Sequence, residues 1–165
     1  MSVESSSRQP VPWPLTRAVV LGGLIVGVLD MFDAFLFFGA RGVPPLRIFQ
    51  AVAGGLLGRD AFQGGVPTFI LGLALHYVIA TIIAAIYILV SRKLPVLVRR
   101  PVLCGLAYGV VAFFVMQYVV VPLSALGGGG KTALPVLING IVGHALLVGL
   151  PSAWAARRAL NPPPP

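Results

Sequence analysis

Four stretches of this chain stay apolar for about twenty residues or more, and no other feature constrains its fold as strongly. They run over roughly 17–40, 66–90, 102–122 and 134–156. At about 1.5 Å of rise per residue, each is long enough to cross the ~30 Å hydrocarbon core of a bilayer. A segment in lipid must satisfy its own backbone hydrogen bonds, so each run is expected to be a helix. Composition agrees: 58% of residues are hydrophobic and 10% charged, whereas a soluble domain is about a quarter charged. The predicted fold is therefore an all-α membrane protein of four transmembrane helices, arranged as two tandem helical hairpins.

Breaker-rich connections, "ARGVPP", "SRKLPVLVRRP" and "LSALGGGGKTALP", separate the runs. The predicted organisation is a polar N-terminal tail over 1–16, the membrane domain over 17–158, and a Pro-rich tail over 159–165. The last of these is expected to be disordered, because "NPPPP" cannot continue a helix. The first outside loop adds a shorter helix over 45–58, too short to span. Pro45 suits a first helical position, and Arg47, Gln50, Gly54 and Gly58 form one narrow polar or small face. This reads as an interfacial or re-entrant helix, with packing over the bundle mouth favoured over dipping into a pore.

Twelve Lys and Arg against four acids would suit nucleic acid. Here, however, the cations cluster at the ends of apolar runs without interleaved aromatics, which argues against that partner. Their distribution instead orients the chain. Arg8, Arg17, Arg92, Lys93, Arg99, Arg100, Arg157 and Arg158 fall on one side, and Arg41, Arg47, Arg59 and Lys131 on the other. The positive-inside rule then puts both termini in the cytoplasm of a bacterial inner membrane, with Trp13 and Trp154 at the same headgroup level. The single cysteine, Cys104, rules out a disulfide framework. No cleaved signal peptide is expected, because the first run follows a polar lead and contains two acids.

The spans repeat themselves. Gly23 to Gly27 and Gly105 to Gly109 both read GLxxG, while Gly72 to His76 and Gly140 to His144 both read GxxxH. The two pairs keep the same order, and the offset between them differs by about the length of the extra helix. Glycines at four-residue spacing, Gly23, Gly27, Gly72, Gly105, Gly109 and Gly140 among them, are expected to pack helices closely.

Two of the four acids, Asp30 and Asp33, lie inside the first run. Counting along each span puts Asp30, His76 and His144 at one level near the middle, and Asp33, Gln117 and Asn139 at a second level nearer the outside. A central charge costs about 2.5–3.5 kcal/mol on insertion scales, while an interhelical hydrogen bond returns about 0.6 kcal/mol. Stability alone is thus a poor reason for two acids there. The leading functional reading is a small transport or permeation protein, proton-linked through the Asp/His cluster. The alternatives are a structural or accessory subunit with a polar packing core, and a bis-histidine haem or metal protein in which His76 and His144 are the ligands. No cofactor is otherwise implied. The expected partners are the lipid bilayer and further copies of the chain in a homo-oligomer; no substrate can be named. No HExxH or GxSxG motif is present, and both acids share one helix, so an enzyme is not expected.

The segments "RIFQAVAGGLLGRDAFQGGVPTFILGLALHYVIA", "RPVLCGLAYG" and "YVVVPLSAL" resemble a family of small bacterial inner-membrane proteins with no established activity. The resemblance implies a four-span integral membrane protein and transfers no catalytic residue.

Overall fold

The computed structural model describes residues 12–128 and 132–160. Arg8, Lys131, the first part of the N-terminal tail and the prolines of the C-terminal tail lie outside that range. The described residues are all-helical, and four helices are long and apolar enough to cross a membrane: α1 (Leu15–Gly39), α3 (Gly65–Ser91), α5 (Pro101–Leu123) and α6 (Leu134–Leu160). Between α1 and α3 lies α2 (Pro45–Leu57), followed by a 3-10 turn, Gly58–Gln63; a single helical turn, α4 (Val96–Arg99), joins α3 to α5. Pro45 and Pro101 occupy the first positions of α2 and α5, where a missing N–H costs nothing.

Large apolar side chains point outward along every span, among them Phe32, Leu36, Val78, Leu103 and Leu134. Inside, the buried residues of the spans are mostly Gly and Ala. That inversion of the soluble pattern identifies a multi-pass membrane protein whose outer surface contacts lipid.

Glycine contacts set the helix pairs. Gly27 abuts Tyr77 and Gly23 abuts Thr81 where α1 crosses α3; Gly109 abuts His144 and Ala145, and Gly105 abuts Gly149, where α5 crosses α6. The two crossings share a register. In each, one glycine meets the residue just past the histidine and the other meets the residue five past it. α6 also packs on α1 and α3, with Gly22 against Ala155.

α6 runs to Leu160, so residues 159–160 are helical rather than part of a tail. The sequence "AARRAL" is a good helix former, and Arg157 and Arg158 in the last turn oppose the helix dipole favourably. The ends of α1 and α6 meet: Trp13 N donates to the Arg158 carbonyl at 2.9 Å, and the rings of Trp13 and Trp154 meet edge-on at 5.2 Å. Arg17 and Arg158 lie over the Trp13 ring. This is the basic end of the bundle, which also carries Arg92, Lys93, Arg99 and Arg100.

α2 buries the middle of its polar and small face, while Arg47 at one end of that face stays exposed. Gln50 and Gly54 are buried with Phe49 and Ala53, while Leu46, Leu56 and Leu57 are exposed. Gln50 Nε2 donates to the Gly65 carbonyl and to Thr68 Oγ1, each at 3.2 Å, and Thr68 donates to the Ala61 carbonyl at 2.7 Å. Gly72 meets the Phe49 carbonyl, so α2 crosses α3 seven residues inside the start of that helix. α2 also reaches the second hairpin, where Ala125 N donates to the Gly55 carbonyl at 2.9 Å.

Candidate functional site

Asp30 of α1 stands between two histidines. Its Oδ2 lies 4.0 Å from His76 Nδ1 on α3, and its Oδ1 lies 3.8 Å from His144 Nδ1 on α6. These distances are too long for hydrogen bonds and short enough for the three groups to share one small partner. All three remain partly exposed, at 27%, 13% and 22% of their side chains.

His76 is fixed from behind. Its Nε2 lies 2.9 Å from the carbonyl of Gly27, one turn before Asp30. A carbonyl only accepts, so Nε2 carries the hydrogen and Nδ1 of the neutral ring presents a lone pair. That lone pair faces a carboxylate, which when ionised also only accepts. Two acceptors facing each other call for a proton or a donor between them. Aromatic edges hold both rings: Phe49 and Tyr77 pack 5.7 and 5.5 Å from His76, and Phe113 packs 5.4 Å from His144.

Asp33, one turn further along α1, is paired separately. Asn139 Nδ2 donates to its Oδ2 at 2.8 Å. The approach depends on Gly143, where a Cβ would come 3.0 Å from that same oxygen. Gln117 does not join this pair; its Nε2 donates to Thr132 Oγ1 at 3.1 Å, tying the end of α5 to the start of α6. The six polar residues expected to cluster thus form a trio (Asp30, His76, His144), a pair (Asp33, Asn139) and a separate contact at Gln117.

Two cavities meet at Asp30 and His76. One of about 410 Å³ is lined by Asp30, His76 and His144 together with apolar residues of α3 and α5. The other, of about 480 Å³, extends from Asp30 and His76 beneath α2 towards Phe38, Arg47 and Phe62. Ala51 and Val52 of α2 line both, so this helix covers the site. Towards the basic end the bundle is solid: Ala18, Tyr87, Ile88, Ala153, Ala155 and Ala156 are almost fully buried against one another. Among the described residues the two cavities lie on one side of Asp30 and His76, and this close-packed cluster lies on the other.

α5 and α6 both loosen where they pass the cavity. Met116–Val120 and His144–Gly149 are π turns, and each lies just before a proline, Pro122 or Pro151. Neither proline has an N–H for the carbonyl four residues back, and a wider turn absorbs the misfit. Such turns concentrate at functional sites; here Met116, Val120, His144 and Val148 all line the first cavity. The prolines were the available sequence signal. The parts played by Phe49, Ala51, Val52 and the Gly27 carbonyl carried none.

No group of three or more His, Cys, Asp or Glu among the described residues is arranged to hold a metal ion. Bis-histidine haem ligation needs one nitrogen of each ring directed at a common iron. In this arrangement the Gly27 carbonyl engages His76 Nε2, and both Nδ1 atoms face Asp30.

Fold and site together define a multi-pass helical membrane protein with a polar trio at the floor of an apolar cavity. No protein-family model, curated protein or solved structure matches this chain.

Proposed function

We propose that the protein is a small permeation protein of a bacterial inner membrane, linked to protons through Asp30, His76 and His144, with its basic end in the cytoplasm. The observation that carries this is the position of Asp30 between two histidine Nδ1 atoms, at 3.8 and 4.0 Å, on the floor of a cavity. Asp and His exchange protons readily, and ionisable groups inside spans are costly enough to imply use. The other charged groups near Asp30 are Asp33 on its own helix and Arg47 of α2, which shares the second cavity with it. Ala18, Tyr87, Ile88, Ala153, Ala155 and Ala156 pack closely towards the basic end, so passage through that cluster would require the helices to move.

The matching glycine registers support reading the two hairpins as repeats of one unit. Both hairpins would then keep the same orientation, related by an axis along the membrane normal, and could rock against one another around the trio. The resemblance noted above fits this placement and adds no activity.

The rival reading, a structural subunit, is favoured by one observation: Asp33 and Asn139 satisfy each other between α1 and α6. Proteoliposomes loaded with a pH-sensitive dye separate the two. With membrane potential clamped by valinomycin and potassium, wild type is expected to relax an imposed pH difference several-fold faster than Asp30→Asn or His144→Gln. Equal rates for wild type, variants and empty vesicles would sink the proton-linked reading.

A further inference from the structure

The four spans do not close into a ring. α1 packs on α3 and α6, and the last part of α6 packs on both α3 and α5. α3 and α5 meet near the basic end, where Tyr108 Oη donates to the Ile83 carbonyl at 2.7 Å and the rings of Tyr87 and Tyr108 lie 4.9 Å apart. Beyond that contact they part. The 410 Å³ cavity occupies the gap, with Ile79 and Ile83 on one side, Met116 and Val120 on the other, and the trio behind. Val120 is 40% exposed, and Ile79 falls near the middle of α3. α2 and residues 124–126 roof the gap at its outer end, through Ala51, Val52, Gly55, Ser124 and Leu126; below that roof, an opening between α3 and α5 would face hydrocarbon in a bilayer.

The chemistry behind the mouth is one-sided. Asp30 has no hydrogen-bond donor among the described residues, and an ionised carboxylate offers about four acceptor sites. His76 Nδ1 is a further acceptor, because Nε2 donates to Gly27. His144 Nδ1 becomes a third whenever its hydrogen is on Nε2. Both histidine Nδ1 atoms lie within 4.0 Å of the Asp30 carboxylate. A primary ammonium head carries three N–H donors and one positive charge, which matches one carboxylate flanked by two imidazole acceptors. An apolar tail matches the walls.

We infer that the gap between α3 and α5 is a lateral portal, and that the site behind it binds a lipid-soluble primary amine. The ammonium rests on Asp30 between the histidines, and the tail lies between Ile79 and Val120. This inference rests on the trio being functional, and it names the ligand class of the proposed permeation site.

Saturable binding of labelled dodecylamine to the full chain in phosphatidylcholine nanodiscs tests it, with empty discs as reference and dodecanol and dodecanoate as chain-matched controls. Wild type is expected to bind the amine at least tenfold more tightly than either control. Asp30→Asn should lose that preference while still binding dodecanol. Val120→Trp, at an exposed position that does not threaten folding, should weaken all three ligands by filling the mouth. Equal binding of amine and acid, unchanged amine binding by Asp30→Asn, or no saturable binding to wild type would each overturn the inference. Proton flux without amine binding removes the ligand class alone; amine binding without flux removes the permeation reading alone.

Discussion

Replacing Gly109 by Ala tests how the helices are held together. Gly109 faces α6 with no side chain between the two backbones. A Cβ there would lie 2.6 Å from the Ala145 Cα and from the His144 carbonyl carbon, and would also meet the His144 oxygen. Carbon atoms pack at about 3.5–4.0 Å, so α5 and α6 must separate locally by roughly 1 Å. A gap of that size forfeits about a quarter to a half of each dispersion contact along the crossing. Overpacking of this kind costs about 1–3 kcal/mol, whereas Ala gains about 0.8–1 kcal/mol over Gly within a helix. The net expectation is a loss of about 0–2 kcal/mol relative to wild type, and of about 1–3 kcal/mol relative to an unhindered Gly→Ala change, read by SDS titration of the purified protein from a mild detergent. The control is Gly39→Ala, because nothing lies within 4 Å of a Cβ at that exposed position; it should be neutral or slightly stabilising. If Gly109→Ala proves as stable as Gly39→Ala, backbone contact at this crossing is not what holds α5 to α6.

Other substitutions reach the remaining parts of the site. Asp30→Asn removes a carboxyl group whose charged form costs about 2.5–3.5 kcal/mol in mid-membrane, so its unfolding midpoint should equal or exceed that of wild type; a clear loss would make the acid part of the scaffold. Asn139→Leu leaves Asp33 without its donor and should destabilise by about 1–3 kcal/mol in the same titration. Gly72→Ala puts a methyl group against the Phe49 carbonyl and should lift α2 away from α3. In a Cys104→Ser background, maleimide labelling of Ala53→Cys should then speed up several-fold, with unchanged labelling counting against the crossing.

The spans were legible because length and apolarity in lipid permit little else, and Pro and Gly mark their ends. The glycine motifs were legible too, since small residues at four-residue spacing have one main use between membrane helices. Asp30 was matched to His76 and His144 by counting depth, which works because a helix rises uniformly. The same counting put Gln117 with Asp33, yet depth says nothing about direction around the helix, and Gln117 turns to Thr132 instead. α2 was legible as a short helix over the bundle mouth, but which of its sides packs was not: Gln50 and Gly54 are buried beside Phe49 and Ala53, while Arg47 and the leucines stay exposed. The gap between α3 and α5 was not readable at all. These helices are apolar all round, so no stripe tells a packed face from a lipid-exposed one.

The meeting of Trp13 with Arg158 has a mechanical consequence. A load pulling the two ends apart would enter the bundle at neighbouring points joined by one backbone hydrogen bond and a pair of indole rings. Force applied there peels α1 from α6 one contact at a time, instead of shearing their interface all at once. The densest part of the protein is therefore the first to be loaded, and under tension it should part at low force. The side with the two cavities, though looser, would be strained only after the close-packed cluster had opened.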